Sequence, residues 1–174
     1  MGWYDHYNPA VWDDNLEHLL APSRQVKRVF NHPSLDWSEL PAFFKKLKTI
    51  DTIASKALQF LILTACRTHE IRHCERDQIN WTDKVWIIPA ELMKARRTHR
   101  VPLCQSTVTL LESTLMGHNA DYAFPRPGSM HPLSNMAMLT LLKREFPRKN
   151  ITVHGFRSTF REWAANKSGY DHDT

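Results

Sequence analysis

The stretch Ile53-Ala54-Ser55-Lys56-Ala57-Leu58-Gln59-Phe60-Leu61-Ile62-Leu63 places apolar side chains on nearly every face of a helix. A helix without a polar face has to be covered on all sides. The segment therefore predicts a central core helix with the other elements packed around it. Ser55, Lys56 and Gln59 interrupt the run, which stays well short of the roughly 20 apolar residues of a membrane span. With 174 residues the chain is long enough to build one domain with a proper core.

Upstream of the core helix, Ser38 is placed to cap a helix over about Glu39–Lys48, with Pro41 in its first turn, where a missing N–H costs little. Downstream, Arg67 falls where the core helix ends, and Thr68 is in position to cap the next one. From Asp77 the period changes. Ile79-Asn80-Trp81, Val85-Trp86-Ile87-Ile88 and His99-Arg100-Val101-Pro102-Leu103 read as three short strands, with Thr82-Asp83-Lys84 as a turn. Ala90–Thr98 is then a basic connection between the second and third strands, and Pro102 suits an edge or a strand end.

A helix over roughly Gln105–Leu115 follows, then a Pro/Gly-rich loop over Pro125–Pro132. Ser134 can cap a further helix with Met136, Leu139, Leu142 and Phe146 inward. Thr152 can cap a last one with Phe156, Phe160, Trp163 and Ala164 as a buried stripe. The fold class expected is α+β, mainly α-helical, with a small three-stranded antiparallel sheet. Residues 1–35, with Pro9, Pro22 and Pro33, read as a linker or the end of an upstream domain, and residues 36–174 as the main domain.

Charge narrows the partner. The formal net charge is +5, and the first 22 residues hold Asp5, Asp13, Asp14 and Glu17 with no lysine or arginine, which leaves the remainder at +9. Such a body suits a polyanion, most simply nucleic acid, although a solvated basic surface accounts for charge alone equally well. Three scattered cysteines make no disulfide framework, and no secretion signal opens the chain, so a reducing cytoplasm is expected.

Three segments carry chemistry. His154-Gly155-Phe156-Arg157 opens the last helix, where a histidine beside the positive end of the dipole is favoured in its neutral form. Arg157 can grip phosphate oxygens with two parallel hydrogen bonds, and Arg161 falls on the same face. Arg67, at the end of a buried helix, is either a terminus arginine paired with Glu70 or a charge facing a cleft. Lys94 shares a loop with Arg96, Arg97, His99 and Arg100, which reads as a solvated basic loop or a set of phosphate contacts.

In combination and order these pieces resemble the catalytic domain of tyrosine recombinases, in particular prophage integrases. The matching runs are Leu61-Ile62-Leu63-Thr64-Ala65-Cys66-Arg67-Thr68-His69-Glu70-Ile71-Arg72, Trp86-Ile87-Ile88-Pro89-Ala90-Glu91-Leu92-Met93-Lys94, His99-Arg100-Val101-Pro102-Leu103, Leu133-Ser134, and Thr152-Val153-His154-Gly155-Phe156-Arg157 with the eight residues after it. Asn8-Pro9-Ala10-Val11-Trp12 looks like the segment leading into that domain. The resemblance implies that Arg67 and Arg157 clamp a scissile phosphate, with Glu70 in support. It also implies that Lys94 protonates the departing 5′ oxygen and that His154 assists proton transfer. Arg96, Arg97, Arg100 and Arg161 become DNA contacts. A tyrosine then attacks phosphorus, and neither a metal nor another cofactor is implied. The partner is double-stranded DNA, on which the full-length protein would work as a tetramer, integrating or excising a mobile element.

In the family pattern the tyrosine lies two helices beyond Arg157. Here the tyrosines are Tyr4, Tyr7, Tyr122 and Tyr170, and none falls at that distance, so this stretch is expected to bind DNA without cleaving it and to be monomeric or weakly associated. Cys66 and His69 replace the small residues usual around the first arginine. Two rivals remain. His69-Glu70-Ile71-Arg72-His73 is a literal His-Glu-x-x-His zinc-hydrolase motif, and the chain is alternatively a non-catalytic DNA-binding module.

Overall fold

A computed structural model of the chain describes residues 11, 16–19, 32–147 and 149–167. The chain divides into two compact units, Met1–Asn31 and His32–Thr174. In the first, a single helical turn at Glu17–Leu19 is described, and the entry segment around Asn8-Pro9-Ala10 lies outside the described residues.

The second unit runs α1 (Leu40–Lys48), α2 (Ile53–Thr64), α3 (Thr68–Arg72), β1 (Ile79–Asn80), β2 (Val85–Ile88), β3 (His99–Pro102), α4 (Gln105–Leu115), α5 (Ala137–Glu145) and α6 (Gly155–Lys167). The apolar segment forms α2, and it lies against α1, α3, α4, α5 and α6. Its Ala57, Leu58, Phe60 and Leu61 are sealed from solvent. Phe60 meets Trp86 of β2 at 5.2 Å and Phe124 at 5.3 Å, so one aromatic joins the helices to the sheet. The polar interruptions have local partners: Ser55 Oγ donates to the Leu47 carbonyl, Gln59 Nε2 donates to Ser55 Oγ, and Lys56 pairs with Asp51. The sheet is antiparallel in the order β1-β2-β3, with Ile87 opposite Arg100 and Ile88 opposite His99. Pro102 therefore sits on an edge strand.

Several local expectations shift. Asp36, not Ser38, caps the first helical segment: its carboxylate accepts from the Ser38 N–H at 2.8 Å, a 3-10 turn spans Trp37–Glu39, and α1 follows. The Ser38 hydroxyl itself donates to the same Asp36 oxygen, and Pro41, three residues on, has no N–H to offer it. Thr68 is inside α3, whose cap residue is Arg67. On α5 the inward residues are Met138, Leu141 and Leu142, followed by Phe146, whereas Met136 precedes the helix and is exposed. The stripe on α6 is also only partly covered. Phe156 is buried, but Phe160 and Trp163 are 44% and 42% exposed and line a cavity of about 580 Å³ with Trp37, Pro41 and Phe44.

Candidate active site

The site begins where α2 stops. Ala65 adopts a left-handed conformation (φ +52°), which ends the helix and turns its carbonyl outward. That carbonyl accepts a hydrogen bond from Arg157 Nη1, so the first residue past the core helix anchors the guanidinium on α6. Two residues on, the Arg67 backbone N–H donates to Glu70 Oε2 and its Nη1 donates to Glu70 Oε1, each at 2.8 Å. Glu70 is 2% exposed, while the Arg67 side chain is 44% exposed. A buried carboxylate thus grips a half-exposed guanidinium from below. Both arginines are held by one nitrogen and keep further donors for an anion, and each donor fork suits phosphate oxygens.

α6 is fastened at its start. Thr152 Oγ1 accepts from the Gly155 N–H at 3.0 Å, the cap expected of it. The Thr152 N–H and hydroxyl both donate to the Pro33 carbonyl, and Thr159 Oγ1 donates to the Leu35 carbonyl at 2.6 Å. A Cβ on Gly155 would lie 2.1 Å from the Pro33 carbonyl oxygen, which is why glycine follows His154. His154 sits just before the helix, its carbonyl accepting from the Arg157 N–H, with its ring edge-on to His32 at 4.6 Å between centroids. Burial, then His32, Arg157 and Arg67, hold its imidazole below the ordinary value of 6.5. The neutral form is the one able to accept a proton.

The structure therefore gathers Arg67, Glu70, His154 and Arg157. Cys66 lies among them at 4% exposure, and burial pushes its thiol up to about 11, which leaves it an unreactive packing group. Lys94 lies on the exposed β2–β3 connection, and among the described residues it makes no hydrogen bond or ion pair. Arg96, in a left-handed conformation (φ +50°), and Arg97 are exposed on the same loop, and Arg100 is exposed on β3. Arg161 is exposed on α6.

The zinc-hydrolase motif is put to another use. Both Glu70 oxygens are engaged by Arg67, and the His73 ring nitrogen Nδ1 lies 2.9 Å from the His69 carbonyl. Among the described residues no group of three or more His, Cys, Asp or Glu gathers as a metal site. Tyr122 packs its ring against His73, and Tyr4, Tyr7 and Tyr170 lie outside the described residues. Sequence reasoning missed the Ala65 carbonyl and the His32–Leu35 segment. Gly155 was the one available signal for the second, since a glycine at a helix start marks a close backbone approach.

The chain is similar to several known proteins. The family described as "Phage integrase family" matches residues 33–174. The prophage integrase IntZ of Escherichia coli (strain K12) is 43% identical over 153 residues, covering 86% of this chain and 38% of that protein. The integrase of Shigella phage Sf6 is 29% identical, covering 92% of this chain and 43% of that protein, so the chain spans about two fifths of the length of these relatives. Among solved structures, the Tn1549 transposon integrase in complex with a circular intermediate DNA has a TM-score of 0.69 at 14% identity, over 92% of this chain and 60% of that one.

Proposed function

The chain belongs to the phage integrase family, and from that premise we propose that it carries the phosphate-handling part of a site-specific DNA recombinase, acting on the attachment sites of an integrating element in a bacterial cytoplasm. The observation that carries the reading is the junction of the two arginines. Arg157 is anchored on the Ala65 carbonyl, and Arg67, two residues on, is gripped by Glu70. Two guanidiniums so placed offset the charge of a pentacoordinate phosphorane, and losing one such donor typically costs on the order of 10²–10³ in rate.

In this reading a tyrosine oxygen attacks phosphorus as the P–O5′ bond breaks. His154 takes up the tyrosine proton, and Lys94, carried in on the β2–β3 connection, gives a proton to the departing 5′ oxygen. Arg96, Arg97, Arg100 and Arg161 bind flanking phosphates. The exposed position of Lys94 fits a residue that meets its partner only on DNA. None of the four tyrosines is assigned the nucleophile, so these 174 residues bind duplex DNA without becoming attached to it, and they are monomeric or weakly associated. The full-length protein works as a tetramer on DNA.

Two measurements test this. Duplex binding should weaken steeply with salt, as phosphate contacts release counterions; binding indifferent to salt would remove the DNA reading. No covalent adduct should form on nicked duplex. An adduct made by these residues alone would place the nucleophile among Tyr4, Tyr7, Tyr122 and Tyr170 and refute that part of the assignment.

A further inference from the structure

We propose that His32 is a positioning residue for His154, holding the imidazole in place through an edge-on contact at the start of α6. The proposal rests on the recombinase reading of the site. Among the described residues the His154 ring has no side-chain hydrogen bond, and His32 is the ring packed against it. A group that moves a proton has to be held within a fraction of an ångström of its partner, and an exposed, unbonded imidazole is not.

His32 is itself held in place by the residues after it. The Pro33 carbonyl takes two bonds from Thr152, the Leu35 carbonyl takes one from Thr159, and Leu35 is 2% exposed. The absence of a Cβ at Gly155 lets that segment cross the helix start in contact with its backbone. The titratable and charged groups facing His154 are then His32 from this segment, Arg157 from its own helix and Arg67 from the start of α3, and all three disfavour its protonation. His32 thus acts twice, by packing and by charge.

Histidine-ring ¹H–¹⁵N spectra of the 174-residue chain test this, with His154 assigned by the signals lost in H154Q. Spectra are taken across roughly pH 5 to 9 for the parent chain, H32A and H32F, with the Gly155 amide reporting an intact fold. In H32A the His154 midpoint should move up and its ring shifts should average toward those of a free side chain. In H32F, which keeps an aromatic ring and removes the imidazole, the ring shifts should stay dispersed while the midpoint moves up. Unchanged His154 signals in H32A, or averaging in H32F as complete as in H32A, overturn the proposal. If H32A does not fold, H32L, which keeps bulk and removes the ring, takes its place: His154 ring shifts as dispersed as in the parent refute the proposal, and averaging there, with dispersion kept in H32F, upholds it. Duplex binding by R157A separates the two readings. Undiminished binding there refutes the recombinase site, whatever the His154 titration shows.

Discussion

Gly155→Ala sets two effects of opposite sign against each other. Alanine is the better helix former, by up to about 1 kcal/mol in a helix interior. On propensity alone the substitution at the start of α6 would stabilise. The added Cβ, however, would lie 2.1 Å from the Pro33 oxygen, 2.9 Å from its carbonyl carbon and 3.0 Å from the Ser34 Cα. All three are backbone atoms, so no side chain can rotate aside. Ordinary contact requires roughly 3.5 Å, so the segment must retreat by on the order of 1 Å. That movement breaks both Thr152 bonds to the Pro33 carbonyl and loosens the Thr159 bond to Leu35. At about 1 kcal/mol for each bond, and with Leu35 partly uncovered, the loss exceeds the propensity gain by about 1–3 kcal/mol. Urea unfolding followed by tryptophan fluorescence reads this directly. With a slope of about 2 kcal/mol per molar, the midpoint should fall by about 0.5–1.5 M. Thr159→Val, which removes one bond without a clash, should cost about 1 kcal/mol. A midpoint in G155A equal to or above that of the parent would show that propensity wins and that the segment does not clamp the helix.

Glu70→Gln should destabilise by about 1–2 kcal/mol in the same assay, a figure held down by the half-exposed Arg67 partner, and should weaken duplex binding by loosening that guanidinium. Stability should also fall on acidification. Burial first of all holds His69, His118 and His154 below the ordinary 6.5, so the unfolded chain binds more protons once pH drops through that value. Urea midpoints should be level between about pH 7 and 8 and decline as pH falls through 6.5 and then the depressed folded values. They should decline again at alkaline pH, where the Cys66 and Cys74 thiols, pushed up by burial, resist an ionisation open to the unfolded chain. A rise on acidification would refute the histidine shifts. Arg96→Ala, Arg97→Ala and Arg100→Ala should each reduce the salt slope of duplex binding by about 1, measured by titration at several ionic strengths. A slope unchanged in all three would remove the loop and β3 from the DNA-contacting face.

The elements legible in advance are those whose pattern is internal. The apolar circumference of α2 demanded a central helix, and β-branched runs around a turn demanded a hairpin, because burial and period are properties of the segment itself. Caps were less legible. Asp36 takes the Ser38 N–H that opens the first helical turn, whereas at α3 the donor-only side chain of Arg67 caps nothing and its N–H goes to Glu70, and such choices depend on the entry angle of the chain. Phe160 and Trp163 show the same limit for packing. Their spacing marks one face of α6, but exposure depends on what else lies against that face, which the helix does not encode. The charged members of the site were legible because Arg67, His154 and Arg157 announce themselves by chemistry. Their anchors were not, because a carbonyl of Ala65 or Pro33 has no signature in the one-letter code.

Those carbonyls explain why the two arginines behave as one device. A non-glycine residue in the left-handed region costs on the order of 1 kcal/mol, and Ala65 pays it at φ +52°. The turn it makes does two things at once. It frees the carbonyl that anchors Arg157, and it starts the extended residue Arg67, whose N–H and guanidinium both close onto buried Glu70. Had α2 run on by a turn, the Ala65 carbonyl would face an amide four residues later and would not be free for Arg157. The separation of the two guanidiniums is therefore set by a single backbone conformation at the end of the most buried helix in the fold. For the phosphate clamp proposed above a rigid core helix is the right place, since such a clamp loses strength when either jaw drifts.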